Sequence, residues 1–214
     1  MGRENKKEAV AALHREEIMR AAETLFSEKG YEQTTIEDIS KLSEYSRRTI
    51  YAYYESKEDI LHHIIEKGLI LLKHEIEEAV RPDGEFISQY MAVCAAMKKY
   101  QDECPHSLEN VNKAKTADID FADTSDTVKH IMFLGTQINE LLAKFIEKGK
   151  ESGIVRKDVI PMMTVYVMWS GITSLVALTK TKGKYISKQF GVTENDFLEY
   201  GFKQIINSIL EVTI

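Results

Sequence analysis

Apolar residues recur along this chain at three- and four-residue spacing, in blocks separated by polar, glycine- or proline-bearing gaps. That is the period of amphipathic helices rather than strands. Ile18, Ala21, Ala22, Leu25 and Phe26 predict a helix over about residues 10–29, stopped by Gly30 as a C-terminal cap. Residues 1–9, polar and partly basic, are expected to fray or to reach phosphate groups of a partner as an arm. Thr35 and Asp38 form a capping box that opens a short helix, with Ile36, Ile39 and Leu42 as its buried side. A turn at Ser43, Glu44 and Tyr45 leads to a helix over residues 46–54, capped by Ser46. Ser56 with Asp59 opens a long helix to about residue 80, with Ile60, Leu61, Ile64, Ile65, Leu69, Leu72 and Ile76 inward. Arg81, Pro82, Asp83 and Gly84 break it.

The second half continues in the same period. Residues 86–100 form a helix with Ile87, Tyr90, Met91, Cys94 and Met97 inward. Pro105 starts a shorter helix through residue 115, and residues 116–126 are a polar, acidic loop. Residues 127–150 carry Ile131, Leu134, Ile138, Leu141, Leu142 and Phe145 in register, and Gly153 ends that helix. Residues 161–180 are apolar on nearly every side, so they must be covered all round. Gly183 and Gly191 bracket a loop, Thr193 and Asp196 make a third capping box, and residues 197–212 form the last helix. No segment alternates with a strand period, and the fold class is all-α.

Composition narrows the function classes. The chain has 214 residues, 43% of them apolar, a formal charge of -6 and a pI near 5.6. That balance argues against a general polyanion binder but leaves room for a local basic patch. Cys94 and Cys104 form no CxxC pair, so neither a disulfide framework nor a zinc site is implied, and a reducing cytoplasm fits. No apolar run reaches the roughly 18 residues of a membrane span, and the N-terminus has no signal-peptide core, so no membrane partner is expected. His62 and His63 are adjacent and face different ways on a helix. Asp118, Asp120 and Asp123 lack the glycine and terminal glutamate of a calcium loop. No metal site and no cofactor are expected. No nucleophile, base and orienting group stand in a recognisable arrangement, so the chain is not expected to be an enzyme.

The helix over residues 46–54 carries two arginines, three tyrosines and no acid. At 100° per residue, Ile50 and Tyr54 share one side and can pack inward, while Arg48 and Ala52 point outward. Arg47 and Tyr51 flank the outer face on one side, Thr49 and Tyr53 on the other. Exposed cations in a helix's first turn each cost about 0.3–1 kcal/mol against the helix dipole, a cost that a phosphate or a guanine edge would offset. Arg48 is placed to meet guanine bidentately, and Ala52 to admit the helix or meet a thymine methyl. Tyr51, Tyr53, Thr35 and Lys57 suit phosphate and set register. The competing account is a solvated amphipathic helix with ordinary surface arginines, because helix-turn-helix geometry also occurs away from DNA.

Three segments then combine: Ala22, Leu25, Phe26, Gly30 and Tyr31; Thr34 to Ile39 (TTIEDI); and Ser46 to Asp59 (SRRTIYAYYESKED). Together they resemble the N-terminal DNA-binding domain of the TetR (tetracycline-repressor) family of transcription regulators. The resemblance implies nine or ten helices in all. It implies a helix-turn-helix DNA-binding domain over residues 1–57, a fourth helix over 57–80 that connects, and a ligand-binding and dimerisation domain over residues 58–214. It carries DNA contact over to Thr35, to Tyr45, Ser46, Arg47, Arg48 and Thr49, and to Tyr51, Tyr53 and Lys57. It also implies a homodimer through the last two long helices, about residues 161–180 and 194–212, on a palindromic double-stranded operator. The family usually has Gly in the turn where this chain has Glu44, and a non-glycine residue is disfavoured at positive φ.

The apolar excess of residues 161–180 independently favours a dimer, and Gly201 permits close helix approach. An unknown small-molecule effector would sit among the helices between residues 85 and 180. Tyr90, Met91, Cys94, Met97, Phe133, Tyr166 and Trp169 are its candidate lining, each also suited to plain core. The expected function is a ligand-responsive repressor released from its operator by that effector. The alternative is a helical small-molecule or partner-binding protein that has lost specific DNA binding.

Overall fold

The computed structural model describes residues 3–104 and 124–212. Among the described residues eight helices follow one another: α1 (Arg3–Lys29), α2 (Ile36–Ser43), α3 (Arg47–Tyr51), α4 (Lys57–Ala79), α5 (Phe86–Glu103), α6 (Asp126–Glu151), α7 (Pro161–Phe190) and α8 (Glu194–Asn207). The fold is all-α, with an isolated antiparallel bridge between Val155 and Leu210. The helix expected to start at Pro105 lies outside the described residues, as does most of the expected acidic loop, including Asp118, Asp120 and Asp123. The chain divides into two compact units.

Unit 1 comprises the described residues within Met1–Gly68 and Cys104–Ile131. Its core is built from Ile18, Ala22 and Phe26 of α1, Ile39 of α2, Ile50 of α3, Tyr54, and Ile60 and Leu61 of α4, all buried. Helix α1 begins at Arg3 instead of fraying to residue 10. Its first turns are mainly Arg, Glu, Lys and Ala with no glycine or proline, so helix propensity favours the extension. Leu42 is 49% exposed, against the expectation that it is buried. It sits in the last turn of an eight-residue helix, beyond the reach of the residues that cover Ile39. Helix α3 spans five residues, not the nine of positions 46–54. His130 Nδ1 lies 2.6 Å from Glu66 Oε1 and ties the start of α6 to α4.

Unit 2 comprises Leu69–Glu103 and Met132–Ile214, as far as they are described. Tyr90 of α5 is fully buried, and its hydroxyl donates to the Phe202 carbonyl of α8 at 2.9 Å. Phe86 stacks on Phe145 of α6 with ring centroids 4.4 Å apart. Helix α7 runs for 30 residues to Phe190, ten beyond the expected end. Gly183 opens no loop: it lies inside the helix, buried, with a Cβ position 2.8 Å from the Glu194 side chain. One internal glycine costs about 1 kcal/mol, which packing of this long helix on α8 absorbs. Gly191, at φ 69°, is the actual stop. Helix α8 ends at Asn207, short of 212, because the chain beyond it pairs with residues 154–156. Arg156 N donates to Ile209 O, and Glu211 N to Ile154 O, each at 2.9 Å.

Two further expectations are corrected here. Gly201 serves a close approach inside one chain, since a Cβ there would stand 2.3 Å from Leu175 Cδ2 of α7. Helix α7 is also long and apolar enough to cross a bilayer, with a mean hydropathy of 1.4 over 18 residues, where no such run was expected. Its isolated Ser and Thr residues dilute the apolar run without interrupting it. Only 28% of that window is buried.

Candidate nucleic-acid interface and ligand cavity

The outward face of unit 1 is set by caps. Thr35 Oγ1 accepts from Asp38 N at 3.2 Å, and the Asp38 carboxylate accepts from Thr35 N at 2.9 Å. Lys29 Nζ joins that carboxylate at 2.7 Å. These bonds, Lys29 first, hold the Asp38 carboxyl well below the usual carboxylate range. Ser46 caps α3, its Oγ accepting from Thr49 N at 3.1 Å and lying 2.8 Å from Thr49 Oγ1. Between α2 and α3 the chain turns at Glu44, with φ 60° and ψ 14°. Among the described residues it is the only non-glycine at positive φ. The turn therefore keeps the left-handed conformation that glycine favours and carries an exposed glutamate in it.

Helix α3 is anchored by Ile50 and Tyr54, both buried, and the Tyr54 hydroxyl donates to the Arg15 carbonyl at 3.1 Å. Arg47, Arg48, Tyr51 and Ala52 are exposed, Tyr51 by 56%. The Arg48 side chain makes no hydrogen bond or ion pair to the described residues, while its carbonyl accepts from Ala52 N at 3.1 Å. Arg47 is paired with Glu37 of α2 at 3.5 Å, an exposed pair worth little. Thr35 and Ser46 are exposed, and Thr49 is half-buried.

Three of the sequence-derived contact residues are half-buried and have partners within unit 1. Tyr45 is half-buried, and its hydroxyl donates to Glu17, which pushes its pKa up to about 12. The Tyr53 hydroxyl lies 3.0 Å from His14 Nδ1. Lys57 Nζ donates to the carbonyls of Tyr31 at 2.8 Å and Thr34 at 2.9 Å, and sits 4.1 Å from the Tyr31 ring centre. The ammonium thus closes the loop between α1 and α2. His14, Arg15, Glu17 and Glu37 escape sequence inspection because each makes its contact across a turn or from another helix.

In unit 2 the candidate lining residues separate. Tyr90, Met97 and Trp169 converge on a small cavity of about 10 Å³, with Val93, Leu142, Phe145, Ile146, Met168 and Ile172 among its walls. That volume holds about one water. No described lining residue is charged. Trp169 Nε1 donates to Asn139 Oδ1 at 2.9 Å, a polar handle beside it. Cys94 is fully buried one turn from Tyr90, and burial pushes its thiol up to about 12 and the Tyr90 hydroxyl higher. Met91 is half-buried, whereas Phe133 and Tyr166 are exposed on the surface. A second, open groove of about 260 Å³ runs between Ile160, Met163 and Val167 of the α7 start and Ile205 and Ile209 near the C-terminus. Among the described residues no group of acids, histidines and cysteines is placed to hold a metal ion.

Residues 18–64 match the model of bacterial regulatory proteins of the tetR family. The chain is 31% identical over 132 residues to the HTH-type transcriptional regulator YfiR of Bacillus subtilis, covering 62% of this chain and 56% of that protein. It is 28% identical over 116 residues to IcaR of Staphylococcus epidermidis, the negative transcriptional regulator of the biofilm operon icaADBC, covering 46% and 63%. The chain thus spans somewhat over half the length of these relatives. Its fold is similar to that of SmeT, the repressor of a Stenotrophomonas maltophilia multidrug efflux pump. There the TM-score is 0.63 at 14% identity, over 92% of this chain and 90% of that one.

Proposed function

Through residues 18–64 the chain belongs to the tetR family of bacterial regulatory proteins, and from that premise we propose that it is a ligand-responsive transcriptional repressor. It acts in the cytoplasm as a homodimer on a palindromic operator and leaves that operator when a small molecule binds. Residues 1–57 are its DNA-binding domain, with the helix over 57–80 connecting to a ligand-binding and dimerisation domain. The observation that carries this is an exposed Arg48, its side chain unpaired among the described residues, beside Ala52 on the outer face of a short helix whose opposite face, Ile50 and Tyr54, is buried.

Arg48 reads guanine, and Ala52 lets the helix seat in the major groove. Arg47, Tyr51, Thr35, Ser46 and Thr49 grip phosphate and fix register. Tyr45, Tyr53 and Lys57 stand at the rim of the same surface, their side chains engaged within unit 1. Dimerisation uses the exposed apolar face of α7, with Met163, Tyr166 and Val167, together with Tyr200 of α8. The two α3 helices then meet successive major grooves, with half-sites about 34–36 Å apart or somewhat more. The effector is uncharged and mainly apolar, because the cavity among Tyr90, Met97 and Trp169 offers no described charge partner. SmeT, which shares this fold, has been solved with triclosan bound.

The test is a gel-shift titration with DNA from upstream of the protein's own gene. Specific binding is expected, and Arg48→Ala is expected to lower it by about 1–3 kcal/mol while relaxing sequence preference. Absence of sequence-specific binding at low salt would overturn the repressor reading. It would favour a helical ligand- or partner-binding protein instead, which the exposed Glu44 and the net charge of -6 would suit.

A further inference from the structure

We propose that His14 is a positioning residue for DNA reading: it holds both flanks of α3 and so sets the angle at which Arg48 is presented. This rests on the repressor reading above. Helix α3 has five residues, too few to hold a conformation unaided, since isolated helices below about 12 residues are marginal in water. Its orientation must come from its neighbours. Ile50 and Tyr54 fix its depth but leave it free to rock about that buried line. The residues that resist rocking are the aromatic rings on either side of it, Tyr45 before and Tyr53 after.

Both rings lie against one histidine of α1. The His14 ring is 4.8 Å from the Tyr45 ring and 5.8 Å from the Tyr53 ring, centre to centre. Its Nδ1 is 3.0 Å from the Tyr53 hydroxyl, across 39 positions of sequence. Arg15 stands 5.4 Å from the Tyr53 ring centre, and Glu17 accepts from the Tyr45 hydroxyl. Helix α1 thus grips α3 at both ends, and His14 is the residue common to the two grips. Bidentate contact of a guanidinium to a base edge depends on angle and distance together. Binding to phosphates at large does not. Loss of His14 therefore damages specific binding and spares general binding, the opposite of the pattern for a residue that only stabilises the fold.

The operator is first enriched from a random duplex pool with the full-length wild-type protein. Then His14→Leu, His14→Asn, Tyr53→Phe and the double variant His14→Leu/Tyr53→Phe are titrated against that operator and against unrelated DNA of equal length. Thermal midpoints are measured in parallel. Asparagine can place an amide near the position of Nδ1, whereas leucine fills space without a polar atom. His14→Leu is expected to weaken operator binding by about tenfold, with less than a twofold change on unrelated DNA. His14→Asn recovers most of the loss. Tyr53→Phe has a smaller effect in the His14→Leu background than in wild type, the mark of coupled residues. Unchanged operator affinity in His14→Leu overturns the proposal. So does an equal loss on both DNAs, or a loss that follows the thermal midpoint. Failure of the wild-type protein to enrich any sequence overturns the repressor reading itself, and the role of His14 with it.

Discussion

Glu44 holds a backbone conformation that glycine adopts without penalty and an L side chain does not. The left-handed region costs a non-glycine residue about 1–2 kcal/mol. Glu44→Gly is therefore expected to raise unfolding stability by about 1 kcal/mol, less some entropy gained by the unfolded chain. Glu44→Ala, which keeps the Cβ, is expected to gain nothing. Urea titrations of the three proteins check this, and equal stability of the Ala and Gly variants would refute it. The strain was foreseen only through the family resemblance, which puts a glycine where this chain has Glu44; nothing in Ser43, Glu44 and Tyr45 themselves marks a left-handed residue. The division of α3 into an inward Ile50 and Tyr54 and an outward Arg48 and Ala52 was legible in the sequence itself, since it needs only the helical period. Lys57 was not legible. Its partners, Tyr31 and Thr34, lie 26 and 23 positions away, and nothing local to Lys57 says that its ammonium closes a loop instead of facing solvent.

Among the elements, α2 shows how a local motif gains a non-local partner. The Thr35 and Asp38 box was readable from four residues, but Lys29, which completes it from α1, was not. Because the Asp38 pKa is lowered in the folded state, the contribution is present above the unfolded value, near pH 4. It is lost as pH falls through the folded value. Acid unfolding followed by circular dichroism should therefore show Asp38→Asn less stable than wild type at pH 7, with the gap starting to narrow as pH falls below about 4 and closing only in stronger acid. A constant gap across that range would remove the carboxylate from the account. Helix α7 shows the reverse failure. Gly183 has the composition of a helix stop, and only the packing of Glu194 against it reveals that the helix continues. Propensity marks where a helix can end, while tertiary contact decides whether it does.

For the molecule as a whole, the all-helical architecture followed from periodicity, but the division of apolar surface between core and outside did not. Tyr166 and Phe133 have the character of core residues and are exposed, whereas Met97 and Tyr90 are buried. Spacing places a residue on a face, and only the assembled helices say what that face meets. If the exposed face of α7 joins two subunits, Val167→Glu buries an unpaired carboxylate twice per dimer, at roughly 3 kcal/mol or more each. Size-exclusion chromatography with light scattering should then find a monomer where the wild-type protein is a dimer. Operator affinity should fall by about a hundredfold or more. A variant that stays dimeric places the interface elsewhere.

The small cavity among Tyr90, Met97 and Trp169 would bear on rates as well as on affinity. A space of about 10 Å³ admits no drug-sized molecule until Met97, Met168 and their neighbours move apart. If the effector binds there, its entry waits on a transient opening of the core, and at high effector concentration that opening, not diffusion, limits association. Stopped-flow traces of Trp169 fluorescence would rise with concentration and then level off at the opening rate. The time a gene takes to respond would be written into the packing of two methionines.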